Sequence, residues 1–186
     1  MTTPVFLTFN DVHDNARANR VRKVLLASGQ YSVSGFWPYT AWSQPPHNKG
    51  REQIAAQIDQ ELTPAAIVLV LIGADTAANE WVRYVIHAAH AAGKPMFGIY
   101  VNGIADERGQ TTDADLVNPF ERFAVLEAGR KVRLSERYRT YTWNDGDDAG
   151  MLPAFAAWVA AAMPMQGYAD EATVRLTEAT ANPVVA

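Results

Sequence analysis

Residues 67–72 read Ile-Val-Leu-Val-Leu-Ile, an unbroken apolar run lying between two segments of helical periodicity. A strand with one wet face alternates apolar with polar, so a run apolar at every position fits a strand covered on both faces, as in a parallel sheet. The wider apolar stretch 65–74 is about half of what a bilayer-spanning helix requires, which makes it a buried strand rather than a membrane span.

The rest of the chain repeats the same cycle. Residues 5–9 are short, β-branched and aromatic, and the polar cluster 10–15 after them can turn the chain and cap a helix over 16–28, closed by Gly29. Strands are expected at 31–36, 67–72, 96–101 and 138–143. Helices are expected from Ile54, Ile58 and Leu62, from 76–92 with Asn79 as its cap, and from Leu152, Phe155 and Val159. Strand and helix in alternation predict an α/β fold: a flavodoxin-like, doubly wound, mainly parallel five-stranded sheet with helices on both faces. Residues 1–163 form the expected domain, and 164–186, with little periodicity, an appended tail.

Composition narrows the partners. The 186 residues carry 16 basic and 20 acidic side chains, a net charge of −4, without the cationic excess that phosphate-backbone binding needs, so no nucleic-acid partner is expected. Cysteine is absent, which removes thiolate zinc sites and cysteine nucleophiles, and the start of the chain has no basic leader before its apolar stretch. A cytoplasmic protein with no membrane association is the expectation.

In a doubly wound sheet the loops after strands one, three and four converge, bringing Asn10, Asp11, Gly73, Thr76 and Asn102 toward one crevice. Arg17 lies one turn inside the first helix on its inward arc; it can hold a phosphate there, or pair with Asp11 or Asp14 and pin the loop. The aromatic loop 36–42 can stack on a base or a partner, or pack at the sheet edge. His87 and His90 have a helical metal-binding spacing but no third ligand nearby, so no metal is expected; the acidic stretches 106–115 and 144–148 read as solvated loops. P-loop, GxGxxG and GxSxG motifs do not occur.

Several strings, VFLTF (5–9), RANRVR (17–22), VLIG (70–73), WVRYVI (81–86), GI (98–99) with Asn102 beyond, NPF (118–120) and YTW (141–143), occur in an order that resembles the TIR-like (Toll/interleukin-1 receptor-like) proteins of the bacterial Thoeris anti-phage defence system. The resemblance spans roughly residues 4–163. It implies a TIR fold and, in active members, cleavage of NAD at the nicotinamide glycosidic bond to make a cyclic ADP-ribose-type signal for an effector protein, with NAD as substrate or ligand. A homo-oligomer is compatible with it. Phe9, Asn10, Arg17, Gly73, Thr76, Trp81 and Asn102 are then the nucleotide-binding candidates.

Breaking that bond develops positive charge on the ribose, which a carboxylate beside the sugar stabilises. The family's pattern is Trp-Val, two residues, then Glu-Ile; here Val85 occupies the glutamate position. Glu80, five residues earlier, is rotated by about 140° and faces solvent, where Arg83 is its expected partner. Asp11, Asp75 and Glu52 are the carboxylates left to substitute, Asp11 first among them. The expected function is a defence or signalling module with an impaired NAD site, a pseudoenzyme; the alternative is an active NAD glycohydrolase or cyclase using another acid. A phosphoacceptor receiver domain shares the fold, but Gly73 and Ala74 separate Asp75 from the central strand and the fifth strand lacks a terminal lysine.

Overall fold

The computed structural model describes residues 1–45, 47–112, 116–127, 130–144, 146–162 and 177–178. Strand β1 (Thr3–Thr8) leads into helix α1 (Asn15–Ala27), then β2 (Tyr31–Ser34), the single turn α2 (Tyr39–Trp42), α3 (Arg51–Leu62), β3 (Ile67–Ile72), α4 (Glu80–Ala91) and β4 (Met96–Tyr100). A hairpin, β5 (Phe123–Glu127) and β6 (Arg130–Arg133), precedes β7 (Thr140–Thr142) and α5 (Asp148–Ala162); β8 (Thr177–Glu178) pairs with β5. The main sheet is parallel throughout in the order β2-β1-β3-β4-β7, with Leu7 beside Leu69, Val70 beside Gly98 and Ile99 beside Tyr141. That is the doubly wound, five-stranded α/β architecture that the sequence predicts.

All six residues of β3 are buried, and alternation along the strand divides them between two layers. Ile67, Leu69 and Leu71 pack with Val21, Leu25 and Phe155 under α1 and α5; Val68, Val70 and Ile72 pack with Ile54, Ile58, Val82 and Val85 under α3 and α4. A strand with no wet face therefore places one helical layer on each side of itself, and position 85 lies in the α3–α4 layer.

Two expectations are corrected and one element is added. The second strand stops at Ser34, short of Phe36, because Gly35 turns the chain at φ +79° with the Leu7 carbonyl so close that a Cβ would sit 2.4 Å from its oxygen. The fifth strand is confined to Thr140–Thr142: Tyr138 packs toward α4, and Trp143 is fully buried on the α1–α5 side. The β5–β6 hairpin is absent from the sequence reading: β6 offers a single buried residue, Val132, which faces Val125 across the hairpin, and both point inward. Apart from Thr177–Glu178, the expected tail 164–186 lies outside the described residues, as do 113–115 of the acidic stretch 106–115 and residue 145 of 144–148. Among the described residues no helix is long and apolar enough to cross a membrane.

His90 is engaged at the end of α4, where its Nδ1 lies 2.7 Å from the Tyr138 hydroxyl. Burial, helped by the charges of Arg137 and His87, pushes its pKa down from 6.5 to about 4. The unfolded chain thus binds this proton more readily than the folded one, and the stability the neutral ring contributes above pH 6.5 is lost as pH falls toward 4. A His90→Asn variant is expected to show a flatter loss of stability across that window, read by denaturant titration at a series of pH values.

Candidate functional site

The carboxyl ends of β1, β3 and β4 open on one rim, and side-chain amides tie its loops together. Asn10, 5 % exposed, donates through Nδ2 to the Ala74 carbonyl at 3.3 Å, and its Oδ1 accepts from the Val12 amide at 3.2 Å. Asn79 caps α4 as its sequence position predicts, accepting from the amides of Trp81 and Val82 at 2.9 and 3.2 Å; its Nδ2 reaches Asn10 Oδ1 and Thr40 Oγ1, each at 3.3 Å. Asp11 accepts from both the amide and the hydroxyl of Thr40, which fastens α2 to the loop after β1.

Arg17 resolves in favour of the pinning role. Its guanidinium bonds Asp14 Oδ1 at 2.9 Å, the Ile104 carbonyl at 2.8 Å, and the Gln110 carbonyl and Thr112 hydroxyl at 3.2 Å each. Four internal partners and near-complete burial leave it no face for a phosphate. Asp14, which the sequence offers only as one of two partners for Arg17, is fully buried; burial raises its pKa, opposed by the hydrogen bond and charge of Arg17. Gly73 lies against this carboxylate, and a Cβ there would come within 2.1 Å of Asp14 Oδ2, so only glycine fits.

The other nucleotide candidates are mostly interior. Phe9 packs against Phe36 with ring centroids 5.0 Å apart and the rings tilted by 36°, and Thr76 Oγ1 accepts from the Gly73 amide at 2.9 Å. Asn102 exchanges hydrogen bonds with Thr112, holding the same segment that Arg17 grips. Trp81 is buried, with the Arg51 guanidinium 5.4 Å from its ring and its indole Nε1 without a hydrogen-bond partner. Val85, one turn further along α4, is wholly buried in the apolar layer. The aromatic loop divides: Tyr39 enters the core, while Trp37 remains 42 % exposed.

Glu80 is exposed as expected, and its Oε2 accepts from Arg51 Nη1 at 2.7 Å, across the gap between α3 and α4. Asp75 stands at φ +58° with its carboxylate toward His13 Nδ1 at 3.6 Å, and Glu52 occupies the exposed first turn of α3. A cavity of about 170 Å³ opens at the end of β3, lined by the turn 73–78 with Leu116, Val117 and Arg122. Among the described residues no three histidine or acidic side chains gather closely enough to hold a metal ion.

The parallel sheet order, the helices on both faces and the rim of loops at the strand ends define a TIR-like module of flavodoxin-like architecture. Residues 6–106, more than half of the chain, match the family model described as Thoeris protein ThsB, TIR-like domain, and the chain belongs to that family. It is similar to the protein named "Putative cyclic ADP-D-ribose synthase ThsB1" of Bacillus cereus (strain MSX-D12): 28% identical over 152 residues, which cover 78% of this chain and 73% of the relative.

Proposed function

We propose that this Thoeris TIR-like protein keeps a crevice for an NAD-type nucleotide but cleaves NAD weakly or not at all. Cyclic ADP-ribose, the product in the relative's name, forms from NAD when the nicotinamide C–N bond breaks and the ribose carbon is captured within the molecule. The bond breaks through an electron-poor, oxocarbenium-like sugar, and a nearby carboxylate is what lowers that barrier. The observation that carries the reading is Val85: at the family's acidic position there is an isopropyl group, wholly buried among apolar side chains. Nearby carboxylates are held elsewhere, Asp11 by Thr40, Glu80 by Arg51 and Asp14 by Arg17. Such a protein acts by binding nucleotide or by assembling with an effector or a second copy.

Incubating the purified chain with NAD tests this directly. Nicotinamide release is expected to stay at the uncatalysed level while NAD raises the thermal midpoint; rapid release from the folded protein overturns the reading. The second reading, an active cyclase that makes a diffusible signal for an effector, has Asp11 as its acid. Asp11 is favoured because Thr40 and Asn79 connect it to the start of α4. In that case release occurs in the unaltered chain and is lost in Asp11→Asn.

A further inference from the structure

Two arginines of the rim, Arg17 buried and Arg122 half-buried, are treated differently. Arg17 has four hydrogen-bond partners inside the chain, whereas Arg122, at the end of the turn Pro119–Arg122, has a buried Nε with none. Guanidinium cannot shed its charge, and a buried donor left unpaired carries the full cost of its lost hydration. Arg122 also lines the cavity of about 170 Å³ at the end of β3. The remaining walls are largely apolar, from Ala74, Ala77, Leu116 and Val117, and the one acid among them, Asp75, leans toward His13 with its side chain 70% exposed.

We infer that this cavity binds a small ligand that carries an oxyanion, carboxylate or phosphoryl, on an apolar body. The Arg122 Nε is closed off from solvent, so the oxyanion is received by the terminal nitrogens of the guanidinium, which match the paired oxygens of either group, and the body rests on the alanine, leucine and valine walls. Pockets that enclose a whole drug-sized ligand run to about 300–1,000 Å³, so this one takes a fragment no larger than a single substituted ring, or one end of a longer molecule. Val85, Trp81 and Asp11 do not line it, although the nucleotide candidates Gly73 and Thr76 do, and binding there is read independently of whether NAD is cleaved.

Benzoate, phenyl phosphate and benzamide have nearly the same shape and differ in charge, so calorimetric titration of the full chain with each isolates the part played by the anion. Benzoate or phenyl phosphate is expected to bind and benzamide not; whichever anion binds more tightly identifies the oxyanion preferred. Arg122→Gln is expected to weaken that binding by about ten- to a hundred-fold, and Leu26→Ser, on the exposed side of α1, to leave it unchanged. Should Arg122→Gln fail to fold, Val117→Glu, at a wall position 46% exposed, sets a negative charge at the mouth and is expected to abolish binding. Equal binding of benzamide, no binding of either anion, or full affinity in a folded Arg122→Gln overturns the inference.

Discussion

Val85→Glu is expected to raise nicotinamide release from NAD by about 10²- to 10⁴-fold, the range that a positioned acid or base commonly contributes. The introduced carboxyl enters a wholly buried layer, so the same change lowers stability by an amount on the order of a few kcal/mol. Donors to receive it exist in that layer: the Trp81 indole nitrogen, one turn before position 85, and the Tyr39 hydroxyl are both buried without hydrogen-bond partners. Burial raises the pKa of a carboxyl, and the variant is therefore closest to the parent in stability at acid pH and falls behind as pH rises through the raised value. Val85→Gln, of similar size but without charge, is expected to show no gain in release. A folded Val85→Glu protein that leaves NAD untouched would falsify the proposal that loss of the acid at this position is what silences the site.

Arg17→Met is expected to destabilise the fold by about 3–5 kcal/mol, because it leaves the Asp14 carboxylate buried without its cation. The pH dependence gives the cause. Arg17 lowers the Asp14 pKa by hydrogen bond and charge while burial raises it; once Arg17 is gone, burial and the Asp75 charge are opposed only by His13, and the folded-state value climbs further above the ordinary carboxylate range. A carboxyl with a raised folded pKa adds stability in acid that is lost as pH increases. Urea titrations of parent and variant at pH 4 and pH 8 are thus expected to differ least at the lower value and most at the higher. An equal deficit at both would mean that the lost tethers to Ile104, Gln110 and Thr112, not the charge of Asp14, account for the damage.

The sheet was legible because its signal is local. Six consecutive apolar residues between helical segments can hardly be anything but a covered strand, and the crossover rule then orders its neighbours. The converging loops followed from that topology, and Asn79 was recognisable as a cap from its place before an apolar arc. What escaped depends on partners distant in the chain. The fate of Arg17 is set by Ile104, Gln110 and Thr112, some ninety positions away, and the pairing of Glu80 with Arg51 by the packing of α3 against α4. Tyr39 belongs to a string of aromatics whose composition does not tell which ring turns inward; the third dimension sorts it from Trp37. The unpaired guanidinium of Arg122 has no sequence signature, since an arginine after Pro-Phe-Glu reads as surface.

Asn79 is a helix cap whose other end is shared with two other connections. Capping normally fixes a helix only to itself; here a single carboxamide makes the axial position of α4 a property of the loop after β1 and of Thr40 as well. Sliding α4 by a fraction of a turn breaks contacts on three segments at once. The depth at which any side chain at position 85 sits is accordingly locked from outside the helix that bears it, so a substitution there meets a fixed berth and not an adjustable one.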